Sequence, residues 1–173
     1  MKHSLLFALL LAGAASIQAQ SPLITELQQS YGQMKGTLTA AAEKVSEADY
    51  SFKPTPQVRS YGEEVIHAAD VQMQLCATVK GEKTSIDKSK SDRASAIAQL
   101  KATFDYCDPI YASLTDASLS QTVKMFGRDR TTYGTLNFAV IHDNETYGTM
   151  VVYLRLKGIV PPTSEPRPGA GKK

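Results

Sequence analysis

Past an N-terminal leader the chain carries two histidines, His67 and His142, and two cysteines, Cys76 and Cys107, the side chains best suited to chemistry. A neutral imidazole is a ligand for zinc, nickel or iron, so two of them converging from separate helices would form part of a metal centre. A catalytic zinc site takes three protein ligands and keeps a further position open. Glu64, Asp70, Asp143 and Glu145 are carboxylates close in sequence to the histidines, but none stands at a decisive spacing. Spacing alone favours a plainer outcome. His67 falls on the polar flank of its helix near Glu63 and Gln74, and His142 reads as a satisfied core histidine. The cysteines leave two readings open: buried thiols, or one bridge closing about thirty residues and worth about 3–4 kcal/mol. If their helices run parallel the two lie at one level; in a tight hairpin they are about 15 Å apart along the axis. Their spacing suggests neither zinc nor covalent haem. H-E-x-x-H, G-x-S-x-G and a glycine-rich phosphate loop are all absent, so the usual hydrolase and nucleotide signatures are missing.

Four long helices are expected to position these groups. Ile24, Leu27, Tyr31, Met34, Leu38, Ala41 and Val45 hold an unbroken three-four alternation, the mark of a bundle-facing stripe. Ser21 is placed to cap that helix and Pro22 to open it. Pro54 and Pro56 exclude helix through much of 46–59, and Tyr50 and Phe52 are suited to pinning this crossover. The second helix opens on Ser60 and Glu63, the spacing of a capping box, and stops at Gly81. Its stripe is Val65, Ala69, Cys76 and Val79, widened by Ile66 and Met73. A charged loop over 82–91 precedes a third helix from Asp92, with a kink near Asp105 or a stop before Pro109. Residues 121–126 read as a short strand, 127–129 as a turn and 130–132 as a return, a small hairpin. The last helix, 132–157, buries Leu136, Val140, Tyr147, Val151 and Leu154, with Phe138, His142, Thr146, Met150 and Tyr153 beside that stripe. Gly158, Pro161 and Pro162 end it.

Composition narrows the function classes. Lys2 and His3 precede the apolar run Leu5 to Leu11 and a small-residue site at Ala19, the order of a secretory signal peptide over 1–19. The mature protein is therefore expected to be exported, periplasmic or secreted. The run is too short to span a bilayer. The chain has 19 basic and 17 acidic residues, or 18 against 17 without Lys2, and the basic residues are scattered. That offers no footprint for nucleic acid. The expected partner is a small molecule, with no membrane span, and a homodimer is left open. One domain is expected over 20–160, with a disordered Pro-rich tail over 161–173.

Several stretches together resemble the DinB family. They are His142-Asp143-Asn144-Glu145-Thr146-Tyr147-Gly148 with Tyr153-Leu154-Arg155 and 157–162 in the last helix, and Arg59-Ser60-Tyr61-Gly62-Glu63 with His67-Ala68-Ala69-Asp70 in the second. Phe52-Lys53-Pro54 and the Phe126-Gly127-Arg128 turn fit as well. The resemblance implies an all-α four-helix bundle with up-down-down-up connectivity and long crossover loops. Its second and third helices then run parallel, which favours a Cys76–Cys107 disulfide. It also implies a metal-dependent hydrolase or a thiol-dependent transferase or isomerase, with a divalent ion (zinc, nickel or iron) on three histidines. His67 and His142 match two of these, and Thr146 stands at the third. Thr146, or Glu145 one position earlier, would have to complete the set. The alternative is a bundle that has lost metal binding and serves as a non-catalytic small-molecule binding or scaffold module.

Overall fold

The computed structural model describes residues 21–166. The leader expected over 1–19 and the residues from 167 onward lie outside that range. Along the chain come α1 (Pro22–Lys44), a 3₁₀ turn (Glu47–Asp49), α2 (Tyr61–Lys80), α3 (Arg93–Ala112) and the short α4 (Asp116–Leu119). Strands β1 (Thr122–Met125) and β2 (Arg128–Thr131), α5 (Thr132–Leu156) and a second 3₁₀ turn (Pro162–Ser164) follow.

The long helices form an up-down-down-up bundle, and particular contacts fix their directions. Tyr61, opening α2, donates to the Ala41 carbonyl near the end of α1 at 2.6 Å, so these two helices are antiparallel. Tyr106 of α3 donates to Glu82 just past α2 at 2.6 Å, which makes α2 and α3 parallel. Tyr153, late in α5, donates to the Arg59 carbonyl just before α2 at 2.7 Å. Lys44 at the end of α1 reaches the Val160 carbonyl beyond α5 at 3.2 Å, so α1 and α5 run the same way. With α2 and α3 parallel, Cys76 and Cys107 come to one level. They are bonded, with Cα atoms 5.6 Å apart.

Local chemistry explains most boundaries. The Ser60 hydroxyl accepts from the Glu63 amide at 3.2 Å, and the Glu63 carboxylate accepts from the Ser60 amide at 2.6 Å, completing the expected capping box. At Gly62 a Cβ would lie 1.9 Å from the Ser91 carbonyl oxygen, so only glycine lets the loop before α3 lie on this first turn. Gly81 takes φ 71°, the left-handed stop. The α1 stripe is buried from Ile24 to Val45 as the alternation requires, and Tyr50 pins the crossover by donating to the Ala42 carbonyl at 2.7 Å.

Some details differ from expectation. Ser21 makes no side-chain cap; its carbonyl accepts from the Thr25 amide instead. Of the two courses expected around Pro109, a kink or a stop, the stop is excluded, because the third helix continues to Ala112. The proline falls in the last turn, where one donor is lost and the burial of Ile110 and Tyr111 holds the chain. The hairpin turn is Phe126-Gly127, both at positive φ (50° and 79°), so Arg128 already belongs to β2. The buried face of α5 is also rotated. Thr146, Met150 and Tyr153 are buried beside the stripe as expected, Ala139 and Asp143 join them, and Val140 and Val151 are only half-buried. The first residues of the Pro-rich tail, 161–166, fold back on the bundle. Thr163 meets the Tyr147 hydroxyl at 2.8 Å, and Lys44 pairs with Glu165.

Candidate metal centre

His67 sits in the second turn of α2 and His142 near the middle of α5, 75 residues apart in sequence. The antiparallel packing of α2 on α5 brings their Nε2 atoms to 3.1 Å, with ring centroids 4.8 Å apart. Both rings are half-buried. Spacing had put His67 on a polar flank, but α5 lies along that flank and turns it into one wall of a groove. The two nitrogens lie within hydrogen-bond distance of one another. His142 Nδ1 is buried and unpartnered.

Both imidazoles are biased toward the neutral form. Burial, then the Arg59 guanidinium and His142 beside it, pushes His67 down to about 4. Burial also lowers His142, with Glu145 pulling the other way and Arg59 adding to the depression. Unfolded histidines bind protons near pH 6.5 that the folded pair refuses, so stability contributed by these groups is lost as pH falls from about 6.5 toward 4. In metal-free protein, the wild type should lose more stability between pH 7 and 4 than His67→Gln does. Thermal melts at both pH values check this, and parallel losses would contradict it.

The carboxylates do not join the pair. Among the described residues no three or more His, Cys, Asp or Glu side chains converge to hold an ion. Asp70 is tied to Lys88 at 3.0 Å. Glu64 is buried beside Arg59 at 3.5 Å, and burial raises its pKa. Asp143 points into the core, 1% exposed, with neither oxygen hydrogen-bonded, and burial raises its pKa well above the ordinary value. Its neutral acid form is the one this setting favours. Glu145 is exposed, and its charge draws both histidines upward without bonding to either. Thr146, one helical turn beyond His142, is 4% exposed.

A cleft of about 520 Å³ borders His67 and is also lined by Asp70 of α2, by Lys88, and by Lys53 and Arg59 of the crossover. The Phe138 ring lies 6.4 Å from His142 and meets Phe126 of the hairpin turn edge-on at 6.3 Å.

The sequence profile of the DinB superfamily matches residues 31–150. The chain belongs to the DinB superfamily. Its fold is similar to that of a DinB-like protein from Bacillus cereus ATCC 10987 (TM-score 0.68, 17% identity, 80% of this chain and 95% of that one). A DinB-like protein from Bacillus subtilis gives TM-score 0.67 at 22% identity, covering 83% and 99% of the two chains. A mycothiol-dependent maleylpyruvate isomerase is more distant, at TM-score 0.55 and 16% identity over 74% of this chain and 59% of that one. No curated protein matches significantly. At these identities the likenesses are of fold.

Within the DinB frame, the donor set can be tested against a metal. Two zinc–nitrogen bonds of about 2.0–2.1 Å at a tetrahedral angle hold their nitrogens about 3.3 Å apart. The 3.1 Å between the two Nε2 atoms fits such a chelate. The third position does not match, because Thr146 offers a hydroxyl where the resemblance requires an imidazole. The residues therefore fit two protein ligands to one ion, with the remaining positions open to exogenous ligands.

Sequence reasoning did not assign a role to Arg59, which stands close enough to depress both histidines. Nor did it single out Phe138 or Arg130. The signal for Arg130 was available in the alternation of β2, which puts Arg128 and Arg130 on one face of the hairpin.

Proposed function

We propose that this DinB-family protein holds one divalent ion, zinc, nickel or iron, on His67 and His142, and acts on a small molecule in the adjoining cleft. The observation that supports it is the 3.1 Å approach of two neutral imidazoles at the cleft edge. A bound ion would supply Lewis acidity toward a water, thiol or carbonyl ligand. The chain's own residues do the remaining work. The depressed imidazoles stay deprotonated and ready to ligate at neutral pH. Arg59 sets positive charge beside them and stabilises negative charge on a reacting group. Thr146 leaves a position to be filled from solution or by the substrate. The reaction class is a metal-dependent hydrolysis or a thiol-dependent transfer.

The protein is proposed to act outside the cytoplasm. The leader over 1–19 and the Cys76–Cys107 bond, suited to an oxidising compartment, support that reading. No helix among the described residues is long and apolar enough to cross a membrane.

Metal analysis of protein purified from the exported fraction without chelator tests the function. About one divalent ion per chain is expected, and none in His67→Ala/His142→Ala. A native protein that binds no ion at micromolar zinc would overturn it. The second reading, a non-catalytic binding or scaffold module, is favoured by threonine at position 146, and that result would leave it standing.

A further inference from the structure

The hairpin carries two cations that pair with no other described residue. In the β1–β2 register Met125 faces Arg128 and Val123 faces Arg130, so both arginines share the face that presents Met125 to the bundle. Met125 is 6% exposed and packs with Leu75 of α2 and Ala139 of α5. On the opposite face Lys124 and Asp129 neutralise one another at 2.5 Å. Arg128 and Arg130 have no such partner. Neither donates a hydrogen bond or forms an ion pair with any described residue. With Met125, Phe126 and Phe138 they line a slot of about 350 Å³. Its apolar walls are two phenylalanines, one of them 63% exposed. The Phe138 wall stands one helical turn before His142.

Two guanidiniums held on one strand face without a counter-charge repel each other, and a planar anion relieves that repulsion. A guanidinium's fork of donors matches a carboxylate in a bidentate pair, and aromatic walls accept the flat body behind it. We infer that the hairpin slot binds the planar, negatively charged end of an organic acid, carried on Phe126 and Phe138 and neutralised by Arg128 and Arg130. The slot lies beside the histidine pair, with the Phe138 ring 6.4 Å from His142, and the assignment stands independently of the proposed function.

Calorimetric titration of the full mature chain with 2-naphthoate, and with uncharged 2-naphthamide, tests the slot. Naphthoate should bind at least tenfold more tightly than the amide. Arg128→Gln/Arg130→Gln should abolish that preference while leaving the melting temperature unchanged, because both side chains are exposed. Phe126→Ser should weaken both ligands. His67→Ala/His142→Ala should keep naphthoate affinity within about twofold, so loss of the metal site and loss of the slot are read separately. No measurable naphthoate binding, equal binding of acid and amide, or an unchanged preference in the arginine variant would each overturn the inference.

Discussion

Thr146→His is expected to raise zinc affinity by about 100-fold or more. Removing a mere supporting partner of a metal ligand costs about 10–100-fold, so supplying a missing imidazole should gain at least the upper end of that range. Position 146 is buried one helical turn beyond the half-buried His142, on the same side of α5. The larger ring also crowds a site that is only 4% exposed, at a cost of about 1–3 kcal/mol to the metal-free protein. The variant should therefore melt lower than wild type without zinc and recover with it. Competition against a chelating indicator measures the affinity. Unchanged affinity would mean that residue 146 does not face the histidine pair.

Loss of the Cys76–Cys107 bond carries the second large effect. The bond spans a sequence separation of 31 residues and joins α2 to α3. Constraining a loop of that length in the unfolded chain contributes about 3–4 kcal/mol. In a domain of this size that corresponds to about 10 °C in melting temperature. Cys76→Ala/Cys107→Ala should show that fall, and wild type in strong reductant should follow it once the buried bond is reached. Thiol titration of the denatured, unreduced protein should find no free cysteine. Two reactive thiols, or a double variant as stable as wild type, would contradict the bond.

What could be read from the chain depended on whether the physics was local. The α1 stripe, the Ser60–Glu63 capping box and the stop at Gly81 are determined by residues within a turn of one another, and all were legible. His67 was not. Its face of α2 is polar by composition, and only the arrival of α5 makes that face part of a groove. The α5 stripe is shifted for a related reason: Asp143 is polar yet buried, while Val140 and Val151 are apolar yet only half-buried. The hairpin turn slipped because phenylalanine at positive φ is a rare occupant of a left-handed position. The parallel course of α2 and α3, and with it the disulfide, came from the family resemblance; periodicity alone left it open. Membership of the DinB superfamily carries the bundle, and the site had to be argued from its own side chains.

The central claim is that both imidazoles hold one ion. X-ray absorption at the zinc edge of the reconstituted, exported protein tests it most directly, because multiple scattering from imidazole rings counts them. The account predicts two imidazoles per zinc at about 2.0 Å with oxygen or nitrogen ligands from solution completing the shell. His67→Ala and His142→Ala should each lower the count to one. A wild-type spectrum with no imidazole scattering, or with the same count in either variant, would contradict it.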